Sequence, residues 1–240
     1  MHRARKEVFV DELGWKLPVQ DGMEFDEYDD DRASSVIGFT PNHDVAMSVR
    51  IRPADDRSML MDHFSHVLPR GARRIDDGRT WEVSRGFCRE LGRKRSNLRR
   101  KAACMLAPLE VALAAQVERL VGFSDVRMLT FFLNIGWRLT VLGEAVPYGE
   151  GDGFAYDVEV SEHAVTAMRE KWGLPDPSYI YLDEARLAGR ELFDCERLLA
   201  DESPALAALL PTPESVSRPS PRDDYFAATS GQFDRRLSSH

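Results

Sequence analysis

The clearest pattern along the chain lies in residues 44–52. There Val45, Met47, Val49 and Ile51 alternate with Ala46, Ser48, Arg50 and Arg52. A period of two predicts a strand with one apolar face, and it sets Arg50 in mid-strand on the polar one. Pro53 ends the strand, and residues 34–40 read as its hairpin partner, with Asn42 near the turn. Upstream, residues 3–13 predict a helix closed by Gly14, with Arg5 and Phe9 four apart on one face. Residues 57–68 predict a short helix. A longer amphipathic helix is predicted over 102–120, because Leu106, Leu109, Leu113, Val117 and Leu120 follow the helical period. Pro108 kinks it or marks its first turn. A short strand at 121–124 follows. Ser124 or Asp125 then caps a helix that runs to Ile135 and stops at Gly136. Residues 137–143 read as an extended turn. Phe154, Tyr156, Val158 and Val160 form a strand, and Ser161 caps a last helix closed by Gly173. Residues 180–200 read as partly helical.

This order predicts an α/β fold, a three-layer sandwich around a mixed central sheet. It is not a doubly wound nucleotide fold. No glycine-rich fingerprint follows a strand, and there is neither a phosphate-binding loop nor a Gly-x-Ser-x-Gly elbow. One domain is expected over 1–200. From Pro211 onward prolines and serines mix with charges, so 201–240 is expected to be a disordered tail. The chain starts inside a helix with no lead-in strand, and an N-terminal strand is expected to be missing.

Charge narrows the function. A net charge of −8 argues against a nucleic-acid partner, although Arg89 to Lys101 forms a local basic stretch. The three cysteines, Cys88, Cys104 and Cys195, are too widely spaced for a zinc site or a disulfide frame. With no apolar run of membrane-spanning length, the expected location is a reducing cytoplasm, with no membrane partner. His63 and His66 lack a surrounding ligand set, so no metal is expected.

Two stretches remain unusual. Residues 15–33 form a long polar connection with a carboxylate cluster, Glu24, Asp26, Glu27, Asp29, Asp30 and Asp31. Composition alone favours a solvated acidic loop, although a connection of this length is often functional. The stretch Trp81–Phe87 reads as a strand that carries Glu82 and Arg85, charges that a buried strand keeps only when they are paired or face a site. Positions three apart on a regular strand face opposite sides. If Glu82 and Arg85 share a cleft, the strand needs a bulge, and Gly86 is its expected place.

Several of these fragments together resemble one family, the acyl-homoserine-lactone synthases that make bacterial quorum-sensing autoinducers. The resemblance covers roughly residues 3–173. Its motifs are Arg5 and Phe9 followed by Leu13-Gly14-Trp15; Glu24-Phe25-Asp26-Glu27-Tyr28-Asp29; Ser48-Val49-Arg50-Ile51-Arg52-Pro53; Met59-Leu60 with Phe64; Trp81-Glu82-Val83-Ser84-Arg85; and Asn134-Ile135-Gly136-Trp137 with Leu142-Gly143. Ala54 departs from the family's usual threonine, and Gly86 separates Arg85 from Phe87, where the family more often has the aromatic directly.

The resemblance implies an acyl-CoA N-acyltransferase-like fold and a two-step reaction. The α-amine of S-adenosylmethionine attacks an acyl thioester carried on acyl-carrier protein or coenzyme A. Its carboxylate then displaces methylthioadenosine and closes the lactone. S-adenosylmethionine is a substrate, and no cofactor is implied. Glu82, Arg85 and Arg50 are the implied catalytic residues, with Glu82 as base. Arg5, Phe9, Trp15, Asp26 and Asp29 would hold S-adenosylmethionine. Phe123, Ser124 and Leu129 would line the acyl pocket. The alternatives are a general acyl-CoA-dependent N-acetyltransferase, disfavoured because Arg93 to Lys101 lacks a pyrophosphate-loop glycine pattern, and an inactive pseudo-synthase acting as an interaction protein.

Overall fold

The computed structural model describes residues 1–39, 44–55, 57–72, 75, 77–89, 95–148 and 151–179. Cys195, the expected helix within 180–200, the expected tail, and Arg93 and Lys94 of the basic stretch lie outside them. Helix α1 (His2–Arg5) runs on as a π-helical stretch, Lys6–Glu12, and Gly14 follows at φ +68°. A small hairpin, β1 (Val19–Gln20) and β2 (Met23–Glu24), interrupts the connection expected over 15–33 and turns at Asp21 and Gly22, both at positive φ.

The central sheet is mixed. Its main path runs β3 (Ser34–Phe39), β4 (Val45–Pro53), β5 (Thr80–Cys88), β6 (Arg119–Asp125), β9 (Gly151–Glu159), β7 (Leu139–Val141), and β8 (Val146–Tyr148) pairs with β9. Only β5 and β6 are parallel. Their pairing spans three rungs, Thr80↔Arg119, Trp81↔Leu120 and Glu82↔Val121. Past Glu82 the two strands separate, and a gap opens in the middle of the sheet.

Helices cover both faces. On one side α3 (Arg95–Ala114), α4 (Leu129–Ile135) and α5 (Glu162–Trp172) pack Leu106, Leu109, Phe132 and Met168 against Val49, Ile51, Val83, Leu120 and Val158. On the other, α1 packs against Phe87, and α2 (Met59–His63) sets Leu60 on Val121 and Ala155. These are the expected three layers. Strand β4 alternates as its sequence predicts, yet seven of its nine residues are buried, because its polar face lies under the N-terminal segment.

The structure corrects two predicted elements. Helix α3 spans Arg95–Ala114 rather than 102–120, so Pro108 is interior. Gln116, at φ +59°, ends the turn after it, and Leu120 belongs to β6. Val117 and Leu120 are both buried, which extended the apparent helical period across an element boundary. The turn expected at 137–143 contains β7, which adds an edge to the sheet. Among the described residues no helix is long and apolar enough to cross a membrane.

Candidate active site

Three arginines and three carboxylates close a ring over the polar face of β4 and β5. Arg5 pairs with Glu24, and its Nη1 lies 2.6 Å from Asp29. Asp29 lies 2.8 Å from Arg50 Nη1, which reaches Asp26 at 2.5 Å. Asp26 accepts from Arg85 Nη2 at 2.7 Å, and Arg85 Nε returns to Glu24 at 3.1 Å. Each charge therefore has a neighbour of opposite sign on either side. The six formal charges cancel, which makes their burial tolerable. The arginines beside Asp29 hold its carboxyl well below the usual carboxylate range, and the Asp26 and Asp29 carboxylates raise the pKa of Arg50 further. The ring ties α1, β2 and the loop after it to β4 and β5.

The place of Arg85 in the ring depends on a β-bulge. Ser48 pairs with Phe87 and Arg50 with Ser84, so Arg85 and Gly86 together oppose Val49. The extra residue resets the alternation. Glu82 and Ser84 face the N-terminal segment before it, and Phe87 does so after it, stacking edge-on to Phe9 at 5.9 Å. The left-handed residue is Arg85, at φ 52°, and not Gly86. Such a conformation costs a residue with a Cβ roughly 1–2 kcal/mol. The two ion pairs and the Phe9 ring, 5.9 Å from the guanidinium, hold it there.

Glu82 stands beside the ring, outside it. Its carboxylate accepts from the backbone N–H of Met59 at 2.7 Å and of Leu60 at 2.6 Å, at the start of α2. Among the described residues it forms no ion pair with Arg85. Burial pushes its pKa up from 4.5 to about 7, against the opposing pull of the two N–H groups and Arg50. Glu82 also occupies the last paired rung of β5 and β6, at the mouth of the gap.

A cavity of about 640 Å³ passes through that gap. On one side of the sheet it is walled by Phe9, Trp15, Asp26, Tyr28, Phe64 and Arg85; on the other by Met105, Met128, Phe131, Phe132 and Tyr156. Phe9 and Trp15 stack at 4.9 Å with planes 17° apart. Phe123 stacks on Phe64 at 4.2 Å and meets Tyr148 edge-on at 4.9 Å. Its ring occupies space that any side chain at residue 153 would fill, since a Cβ on Gly153 would lie 2.1 Å from it. The site thus has a charged, aromatic chamber and an apolar chamber that meet at Glu82.

Comparison with known proteins gives the family. A family model described as autoinducer synthase matches residues 1–168. The chain belongs to the autoinducer synthase family. As a member it is an acyl-homoserine-lactone synthase, an acyltransferase. It is 32% identical over 149 residues to an acyl-homoserine-lactone synthase of Rhizobium etli, covering 61% of this chain and 70% of that protein. A second, from Ralstonia nicotianae, is 30% identical over 181 residues, covering 73% and 86%. Among solved structures, a CoA-dependent acyl-homoserine lactone synthase, BjaI, with SAM and isopentyl-CoA superimposes with a TM-score of 0.63 at 26% identity, over 72% of this chain and 81% of that one. TofI, solved with an inhibitor and MTA, gives 0.60 at 26% identity over 70% and 86%.

In this synthase the residues singled out from sequence divide into two groups. Phe9, Trp15, Asp26, Glu82, Arg85, Phe123 and Ser124 line the cavity. Arg5, Asp29 and Arg50 do not; they stand behind it in the ring. Leu129 is also off the cavity wall and packs against the main core, while Met128, Phe131 and Phe132 take the place expected for it. The helical period of α4 and the turn before it separates those faces. Sequence reasoning left out Glu24, wholly buried and bonded to two arginines, and Ser84, whose hydroxyl accepts from Arg50 Nε at 3.0 Å. Both sit inside motifs already visible in the chain, Glu24-Phe25-Asp26 and Glu82-Val83-Ser84-Arg85. Of the basic stretch, Arg89 pairs with Glu7 at 2.7 Å, and Arg99 donates to backbone carbonyls at the end of α5.

Proposed function

We propose that this synthase acylates the α-amine of S-adenosylmethionine from an acyl thioester and then closes the lactone with release of methylthioadenosine. The observation that carries the reading is Glu82, a carboxylate held near pKa 7 where the two chambers meet. A base of that strength is matched to removing an ammonium proton at neutral pH. The aromatic and charged chamber suits the first substrate. Phe9 and Trp15 offer faces to the sulfonium and adenine, worth about 0.5–2 kcal/mol for a cation. Arg85 Nη1, whose near neighbour is the Met59 sulfur at 3.6 Å, faces the methionyl carboxylate. The ring itself is neutral. The attraction for the ammonium therefore falls to Glu82, and Arg5, Asp29 and Arg50 act as positioning residues.

The first step forms a bond from the amine nitrogen to the thioester carbon and breaks the C–S bond. Glu82 takes the proton that the ammonium gives up. The second step brings the carboxylate in line with the γ-carbon, which is a matter of holding both ends of one molecule. The Arg85 contact at one end and the aromatic pair at the other do so. The apolar chamber of Met105, Met128, Phe131 and Phe132 suits the acyl chain. S-adenosylmethionine and isopentyl-CoA accompany the BjaI neighbour, which supports a thioester donor of the same chemistry here.

The test is direct. Purified full-length chain is incubated with S-adenosylmethionine and acyl thioesters of several chain lengths on coenzyme A and on acyl-carrier protein. Mass spectrometry is expected to find methylthioadenosine and an acyl-homoserine lactone with at least one carrier. Lactone from neither carrier refutes the reading.

A further inference from the structure

Tyr156 lines the cavity, and the assignments above give it no task. It lies on β9, 3% exposed, with its ring packed on Phe132, Phe154 and Trp137 at 5.4, 5.7 and 6.1 Å. Its hydroxyl crosses over Gly122, its partner on β6. A Cβ at Gly122 would lie 2.5 Å from that oxygen and 2.8 Å from the Val83 carbonyl, so only a glycine leaves the space open. Among the described residues the hydroxyl has no hydrogen-bond partner. Tyr156 lines the cavity, so its O–H is available to a group that enters. Burial and the nearby Glu82 charge both raise its pKa, so it keeps its proton and offers an O–H.

Its position limits what that O–H can meet. Gly122 follows Val121, the last residue of β6 paired with β5, so the hydroxyl stands one rung beyond Glu82 and on the opposite face of the sheet. The two groups flank the gap from either side. A carbonyl placed in the gap for attack by an amine held at Glu82 has the tyrosine O–H at its border as well.

We propose that the Tyr156 hydroxyl donates a hydrogen bond to the carbonyl oxygen of the acyl thioester. Tyr156 is thus a catalytic residue that stabilises the negative charge developing on that oxygen. The inference rests on the acyl-transfer reading of the site. As nitrogen bonds to the carbonyl carbon, charge moves onto oxygen under the tyrosine O–H. It returns as the C–S bond breaks; the first proton of the ammonium has gone to Glu82, and the second, released once nitrogen has bonded to the carbonyl carbon, leaves with the sulfur, which departs as a thiol. Tyr156 keeps its own proton throughout. Preorganised donors of this kind act where charge appears in the transition state.

The test compares the wild type with Tyr156→Phe, which removes one oxygen and keeps the ring packing. Two non-reactive pantetheine analogues serve as probes, each in butanoyl, octanoyl and dodecanoyl forms. One replaces the thioester sulfur by CH₂ and keeps the carbonyl; the other replaces the carbonyl by CH₂. By calorimetry on the full chain, Tyr156→Phe is expected to weaken the ketone about 2- to 10-fold. The thioether should bind both proteins equally. Turnover should fall on the order of 10²-fold, while KM for the donor rises no more than the ketone's dissociation constant does. The melting temperature should hold or rise, which a structural role would not permit. Three results overturn the proposal: a wild type that does not prefer ketone to thioether at any chain length, a variant that weakens both probes alike, or turnover within twofold of wild type. Because binding is read apart from product, absence of lactone refutes the functional reading without deciding this comparison.

Discussion

Replacing Glu82 by Gln separates chemistry from fold, because two effects of the change oppose each other. The first follows from burial. Moving the carboxyl from 4.5 to about 7 corresponds to about 3 kcal/mol against the ionised form. The folded state binds this proton more tightly than the unfolded chain. The resulting stability is fully present below 4.5 and is lost as pH rises through about 7. A neutral amide removes that loss at pH 8. The second effect is a lost acceptor. The Met59 and Leu60 N–H groups each meet one carboxylate oxygen, and glutamine can accept at one only. An unmet buried N–H costs about 1–3 kcal/mol. At pH 8 the two effects nearly cancel, so urea unfolding should give similar stability for wild type and variant. At pH 5, where the wild-type carboxyl is largely neutral, the variant should be the less stable by about 1–3 kcal/mol. Turnover should fall 10²- to 10⁴-fold. The wild-type kcat/KM should carry an acid limb near pH 7 that the variant lacks. The substrate amine also titrates near this range, so the limb has to vanish in Glu82→Gln to be assigned to the enzyme. A variant that keeps a tenth or more of the activity with the same acid limb would refute the base assignment. A loss of stability at pH 8 that matches the loss of activity would refute the division of roles.

Further predictions concern the ring and the bulge. Glu24→Gln leaves Arg5 and Arg85 short of a charge partner and should destabilise the fold by about 3–5 kcal/mol in urea unfolding, far more than a surface pair such as Arg79–Glu118. Because the arginines hold Asp29 low, its share of the stability is present above about 4 and should be lost as the pH falls below it, which acid titration by circular dichroism reads. Arg85→Gly and Arg85→Ala lose the same ion pairs, but glycine accepts φ 52° freely, so the glycine variant should be the more stable by about 1 kcal/mol; equal stabilities would mean the left-handed residue carries no strain. Gly86→Ala should leave stability unchanged or slightly raised, since its Cβ meets Val49 Cγ2 at 3.8 Å. Gly122→Ala, which drives a methyl toward the Tyr156 oxygen, should depress kcat/KM for the acyl donor.

Much of this protein is determined along the chain. The alternation of β4 fixes which residues face the acidic segment, because strand side chains have a period of two whatever packs on them. The caps of α5, Ser161 and Gly173, stand where hydroxyl and glycine chemistry put them. Asp26, Asp29 and Arg85 lie in the two stretches whose charge is unusual, Arg50 stands in mid-strand, Arg5 is named by the family resemblance, and all five meet in one ring. Tertiary structure decided what those charges do. Composition could not tell a solvated carboxylate loop from one laid over three arginines, because the difference lies in partners from β4 and β5, distant in sequence. It could not set Glu82 apart from the ring, since the N–H groups that hold it come from α2. It could not find the gap between β5 and β6, because no local signal records where two parallel strands stop pairing. The bulge lay between these cases. The charges at Glu82 and Arg85 required one, but its left-handed residue is Arg85, held by its ion pairs, where local propensity alone would have chosen Gly86.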